Sequence, residues 1–399
     1  MKKSVKDINL KDKKVLVRVD YNVPINDKGE VDDDTRIKES LPTLKYLLDQ
    51  NCSLVLMSHL GRPKGKVDPK YSLKPVANRL ESLLGKKVVM ADGIVDEATK
   101  NKVKNLKNGE VLLLENIRFD PREEKNDDGF AMEIVSMVGS DAIFVQDAFG
   151  SVHRAHASTY AVAKLLPAVA GFLLEKEITY FEKILTSPER PFVAILGGAK
   201  VSDKIGVIDN LLNKVDAIII GGAMAYTFLL ARDISVGNSL VEKDKVGLAK
   251  QLLKKAEERK INLFLPIDHL LATKVDKDAQ TKECTVVDIP EGFIGVDIGK
   301  NSIDRIATII KSAKTIVWNG PMGVFEIEKF QEGTKQVALL VAQATQNGAI
   351  TVVGGGDSVS AVKKFGVADK ISHISTGGGA SLELLEGKVL PGIDVLLNK

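Results

Sequence analysis

Cysteine, aromatic residues and net charge are all scarce in this chain of 399 residues, and each scarcity removes a class of protein. The two cysteines, Cys52 and Cys284, stand far apart with no CxxC spacing and no histidine partner, which excludes a disulfide scaffold or zinc ribbon and fits reduced, packed thiols. Aromatics make up 5%, and 56 basic against 53 acidic residues leave a net charge of +3. That balance argues against the segregated basic face of a nucleic-acid or membrane-surface binder, so neither partner is expected. No apolar run reaches the ~20 residues of a membrane span; the most apolar one, Ala217 to Ala231, is broken by Gly221, Gly222, Tyr226 and Thr227. The amino-terminal MKKSVKDINLKDKK carries charges where a secretory signal would be apolar, so a cytoplasmic location is expected. Neither GxxxxGK[ST] nor GxGxxG occurs, so both common nucleotide templates fail.

What is present is a repeated alternation. Short β-rich runs recur at Val15 to Val19, Leu54 to Met57, Val111 to Leu114, Ile143 to Val145, Val193 to Leu196, Ile218 to Ile220, Leu263 to Leu265, Ile316 to Val317 and Ile350 to Val353. Amphipathic stretches of helical period separate them, as at Ile205, Ile208, Leu211, Leu212 and Val215. Continuous apolar strands alternating with helices predict an α/β fold with parallel sheets covered on both faces. The length suits two domains of roughly 150 to 200 residues. We place them at 1–170 and 186–387, with a linker helix over 171–185 whose ends could hinge.

Polar and glycine residues gather just after the strands, where open parallel sheets bind ligands. In the first half these are Asp20 and Asn22, His59 and Arg62, Arg118, and Arg154, with Arg36 nearby. Arginine is sparse, eleven against 45 lysines, so its recurrence in these loops points to bidentate capture of phosphate or carboxylate. Asp20 and Asn22 could equally cap a turn. His59, His153 and His156 lack metal-ligand spacing and suit neutral hydrogen-bond donors, although His153 and His156 read equally as histidines satisfied by backbone.

In the second half, LGGAK at Leu196 to Lys200 and TGGG at Thr376 to Gly379 each leave an apolar strand and open a helix. Bare amides at helix starts form an anion site. With Ser202 as its expected cap, the helix running to Lys214 would carry Lys204 in its first turn and Lys200 just before it. Two cations beside the positive pole conflict by a few tenths to ~1 kcal/mol unless an anion lies between them; the alternative is two solvated lysines. In GGGDS, Gly354 to Ser358, Asp357 reads equally as a helix cap or as a carboxylate for Mg²⁺ carried by a nucleotide.

The stretches VRVDYNVP, SHLGRPKG, ENIRF, DAFGSVHRAHAST, LGGAKVSDKI, WNGPMGVFE, GGGDSVSA and STGGGASLELLEG occur in one order from about Lys14 to Gly392 and resemble the phosphoglycerate kinase family. The resemblance implies two Rossmann-like domains joined by a helical hinge, and transfer of a phosphoryl group between 1,3-bisphosphoglycerate and MgADP, giving 3-phosphoglycerate and ATP in glycolysis. It implies that Asp20, Asn22, Arg36, His59, Arg62, Arg118 and Arg154 bind the glycerate. Lys200, Lys204, Gly295, Asn319, Glu326, Gly355, Gly356, Asp357 and Ser358 would bind nucleotide, Glu326 through the ribose hydroxyls and Asp357 facing the magnesium. Arg36, Lys200, Lys204, Gly377 and Gly378 would serve the transferring group. It further implies a monomer whose last residues, about 388–399, return to the amino-terminal domain. Tyr21, Ser151, Val152 and Ser358 depart from the family's usual residues without removing a charge or a glycine.

Overall fold

A computed structural model describes residues 1–399, which divide into two compact units, Met1–Thr179 with Val389–Lys399, and Tyr180–Lys388. Each is built on a six-stranded, wholly parallel sheet with helices, so the α/β reading holds.

In the first unit the strands are β1 (Lys14–Arg18), β2 (Ser53–Met57), β3 (Val88–Met90), β4 (Val111–Leu113), β5 (Ile143–Gln146) and β6 (Ala168–Ala170), in spatial order β3-β4-β2-β1-β5-β6. Val15 lies opposite Leu54 on one side and Ile143 on the other. Strands β2, β4 and β5 are buried at every position, as the unbroken apolar runs require of a sheet covered on both faces. The carboxyl-terminal segment completes this unit: Gly392 N donates to Val152 O at 2.9 Å, and Leu397 N to Ala168 O at 3.0 Å.

The second unit repeats the plan. Its strands are β7 (Phe192–Leu196), β8 (Ala217–Ile220), β9 (Asn262–Phe264), β10 (His269–Ala272), β11 (Thr281–Cys284), β12 (Ile294–Ile298), β13 (Thr315–Asn319), β14 (Ile350–Gly354) and β15 (His373–Ile374). The large sheet runs β15-β14-β13-β7-β8-β9. The sequence pattern missed a separate antiparallel sheet, β11-β10-β12. Strand β11, Thr-Lys-Glu-Cys, is polar and largely exposed, so no hydrophobic period marks it.

Both large sheets reverse their winding beside their first strand, between β1 and β5 and between β7 and β13. That reversal opens a crevice at the carboxyl ends of the strands. The helix Phe172–Thr186 contains the division between the units. No helix is long and apolar enough to cross a membrane.

Candidate active site

In the second unit, the turn after β7 and the turn after β13 are interlocked. Gly197 N donates to Asn319 O at 2.9 Å, Gly198 N to Pro321 O at 3.1 Å, and Met224 N to Gly198 O at 3.0 Å. A Cβ on Gly197 would stand 2.0 Å from Pro321 O, so only glycine lets these backbones approach. The result is a cleft of about 330 Å³ lined by both turns, by the Gly355–Ser358 turn after β14 and by Gly378.

Of the residues singled out from sequence, Lys200, Lys204, Asn319, Gly355, Gly356, Asp357, Ser358 and Gly378 line this cleft. Lys200 is exposed. Lys204 is buried and donates through Nζ to Asn319 Oδ1. Burial lowers its pKa, opposed by the charges of Asp203, Asp357 and Glu386. Ser358 Oγ accepts from Gly320 N at 2.6 Å, locking the floor.

Asp357 lies exposed in the first turn of the helix Gly356–Lys364, whose capping residue is Gly355. Asp357 is therefore not the capping residue, and it lines the cleft. No group of three or more histidine, cysteine, aspartate or glutamate side chains is placed to hold a metal alone. Two carboxylate residues, Asp203 and Asp357, line a phosphate-sized cleft, which fits Mg²⁺ that arrives on a phosphate ligand.

The expected helix cap is displaced, and three of the other residues lie outside the cleft lining. Ser202 is not the helix cap: its hydroxyl donates to Glu242 Oε1 at 2.6 Å, and the helix is shorter, Ile205–Leu211, with Lys204 itself at the capping position. Gly377 is not a cleft-lining residue, and its amide donates to Ser375 Oγ at 3.2 Å. Gly295 and Glu326 also stand outside the lining. Gly295 is in β12 beneath Tyr226, where a Cβ would be 2.0 Å from the phenol oxygen, and Glu326 is exposed in the turn after β13.

In the first unit, the carboxyl ends of β1, β2, β4 and β5 collect the basic residues. Arg36, from the helix Thr35–Asp49, pairs with Asp20 at 2.5 Å. Asn22 Oδ1 accepts from Gly61 N at 2.8 Å, and Arg118 Nη1 donates to Gly61 O at 3.0 Å. Arg62 and Arg154 are exposed, and Arg154 Nε donates to His153 Nε2 at 3.1 Å. His59 is buried against Arg18, and His156 is buried near Glu123. Burial holds the His59 pKa well below 6.5 and the His156 pKa at about 4, with neighbouring arginines adding to both. Both shifts favour the neutral imidazole near pH 7.

Sequence reasoning missed Arg18, Glu123 and Ser158, which lie behind this cluster. Arg18 Nε donates to Ser158 Oγ at 2.9 Å, and Ser158 Oγ donates to Glu123 Oε1 at 2.6 Å. A signal was present: a guanidinium inside the apolar run Val15 to Val19 is too costly to bury unpaired.

This arrangement defines a two-unit α/β protein with a glycine-lined cleft carrying two lysines beside one parallel sheet and an arginine-rich cluster beside the other. A family model described as phosphoglycerate kinase matches residues 5–388. Phosphoglycerate kinase of Chloroflexus aurantiacus is 56% identical over 397 residues, covering 99% of this chain and 98% of that protein, and that of Thermosipho africanus is 54% identical over 399 residues, covering 100% and 98%. Among solved structures, phosphoglycerate kinase from Coxiella burnetii superposes with a TM-score of 0.89 at 39% identity, covering 99% of this chain and 98% of that one. That from Pyrococcus horikoshii gives 0.84 at 33%, covering 98% of each. The chain belongs to the phosphoglycerate kinase family.

Proposed function

We propose that the protein catalyses reversible phosphoryl transfer between MgATP and the carboxylate of 3-phosphoglycerate, forming MgADP and 1,3-bisphosphoglycerate, and that in glycolysis it runs toward ATP. The observation that carries this is the pairing of two different anion sites, each at the switch point of its own parallel sheet. The cleft beside β7 and β13, with Lys200, Lys204 and Gly378, suits a polyphosphate. The cluster beside β1 and β5, with Asp20, Asn22, Arg36, His59, Arg62, Arg118 and Arg154, suits a small acid bearing carboxylate, hydroxyl and phosphate oxygens.

In the ATP-consuming direction a carboxylate oxygen attacks the terminal phosphorus. The new O–P bond forms as the bond to the bridging oxygen breaks, and its electron pair leaves with ADP. The attacking group is already ionised near neutral pH, so no proton moves and no general base is required. The protein's tasks are alignment and positive charge around the equatorial oxygens. Arg36, Lys200, Lys204 and the Gly378 amide are assigned to these; the occupied Gly377 amide would have to release Ser375 to join them. Bound with the nucleotide and facing Asp357, Mg²⁺ would neutralise phosphate charge. Glu326 and Gly295 remain candidates for the nucleoside end, beyond the phosphate cleft.

Water must be kept from the transferring group, so the proposal includes closure of one unit on the other with the helix Phe172–Thr186 as pivot. A monomer in the cytoplasm is part of the same reading. A coupled assay following ADP from MgATP tests it. Turnover should depend strictly on 3-phosphoglycerate; turnover indifferent to that acid, or none, overturns the proposal.

A further inference from the structure

We propose that Arg18 is a positioning residue that fixes His59 as the Nε2–H tautomer, so that the proton His59 offers its acid substrate is always on the same nitrogen. This rests on the proposed role of His59 in binding that acid.

Arg18 is 1% exposed and has no surface for a ligand. Three of its nitrogens are committed: Nε to Ser158 Oγ at 2.9 Å, Nη1 to Val19 O, and Nη2 at 3.1 Å from His59 Nδ1. The guanidinium cannot swing away, because Ser158 is itself clamped by Glu123, through its hydroxyl at 2.6 Å and its amide at 2.9 Å. A guanidinium has only donors. His59 Nδ1 must therefore present its lone pair, and the single proton of the neutral ring is confined to Nε2.

Protonating the ring would set N–H against N–H at that 3.1 Å contact. The groups that face His59 reinforce this, since Arg18, Arg118, Arg36 and His156 all oppose a charge on it. The binding site thus contains a directional donor that adds no positive charge, beside arginines that supply charge. The serine and glutamate behind Arg18 give a buried charged residue a purpose that fold stability alone does not supply, since a packed apolar side chain would cost less in a strand buried on both faces.

Long-range ¹⁵N–¹H correlation spectra of histidine-labelled protein test the assignment. The chain has five histidines, and the signal missing from His59→Asn identifies the ring in question. In the native protein, His59 should be Nε2–H and should not titrate between pH 8 and 5. Arg18→Gln, whose amide can donate or accept, should release the ring to mixed tautomers or to titration nearer 6.5. It should also raise KM for 3-phosphoglycerate about five- to tenfold, the scale of one hydrogen bond, with KM for ATP unchanged. Arg18→Lys, still a pure donor, should retain the Nε2–H signature. A native His59 that is Nδ1–H or titrates near 6.5 overturns the inference, as does an unchanged spectrum in Arg18→Gln. Should that variant fail to fold, the native spectrum alone decides. The spectra need no substrate, so a protein with the predicted tautomer but no kinase activity would overturn the proposed reaction and leave the Arg18–His59 relationship intact.

Discussion

The ammonium of Lys204 is held by the side-chain oxygen of Asn319, so the residue that caps the helix after β7 is tied to the last residue of β13. A buried lysine with one neutral acceptor keeps much of its charge unspent and aimed at the cleft. Lys204→Ala should lower kcat by about 10²- to 10³-fold, as expected for loss of one preorganised donor to the transferring group. Binding of 3-phosphoglycerate measured by calorimetry should be unchanged. A variant that loses acid binding while keeping kcat would place Lys204 in the other site.

Two glycines in this cleft have opposite expected behaviour. At Gly197 a methyl group meets Pro321 O at 2.0 Å and Gly320 O at 2.7 Å, so Gly197→Ala should unlock the interleaved turns and lower Tm sharply. At Gly356 no atom lies within 4 Å, and the residue begins a helix. Gly356→Ala should therefore fold with unchanged or slightly raised Tm, because alanine is the better helix former. Its methyl group nevertheless stands where a phosphate would approach, and KM for ATP should rise at least about tenfold, roughly 1.4 kcal/mol of lost binding. Thermal melts and steady-state kinetics on both variants separate scaffold from site.

Arg118 is 6% exposed, with one nitrogen on Gly61 O and Nε 3.4 Å from Glu124. A lysine could keep the charge but not the fork that reaches two acceptors. Arg118→Lys should raise KM for 3-phosphoglycerate about tenfold or more and leave KM for ATP within twofold. Equal loss for both substrates would argue against a dedicated acid site.

The buried carboxyl groups of Asp147 and Asp297 should each contribute stability that falls as pH rises from about 4 to 7. Burial pushes the carboxyl groups of Asp147 and Asp297 up to about 7, against ~3.9 in an unfolded chain. Their folded pKa is raised, so their contribution is complete below ~4 and is lost as pH climbs through 7, at up to ~1.4 kcal/mol per pH unit for each group. His156, depressed to about 4, acts in the opposite sense: its contribution is complete above ~6.5 and is lost as pH drops toward 4. Asp147 Oδ1 accepts from Leu173 N at 3.0 Å and Leu174 N at 3.2 Å, both in the first turn of the helix Phe172–Thr186, and an asparagine oxygen can keep both bonds. Denaturant titrations at several pH values should show Asp147→Asn losing less stability than the parent between pH 5 and 8. Identical slopes would contradict the raised pKa.

The sequence pattern was legible where burial imposes it. Runs such as Leu54–Met57 and Phe192–Leu196 sit in strands buried on both faces, so every residue in them is apolar and the run cannot be hidden. Strands β3 and β6, three residues each, and the polar β11 left too little period to read. Ser202 failed as a cap because a distant partner, Glu242, claims its hydroxyl, and local rules contain nothing about that partner.

Residue types and their place after strands were enough to single out the lysines and glycine turns that line the cleft and the scarce arginines of the first unit, because the chemistry of anions narrows which side chains can serve. Only the folded chain brought Lys204 to Asn319 across 115 positions, occupied the Gly377 amide with Ser375 and set Arg18 behind His59. Local preference acts over a few neighbours, whereas these contacts exist only once a parallel sheet has placed the ends of non-adjacent strands side by side.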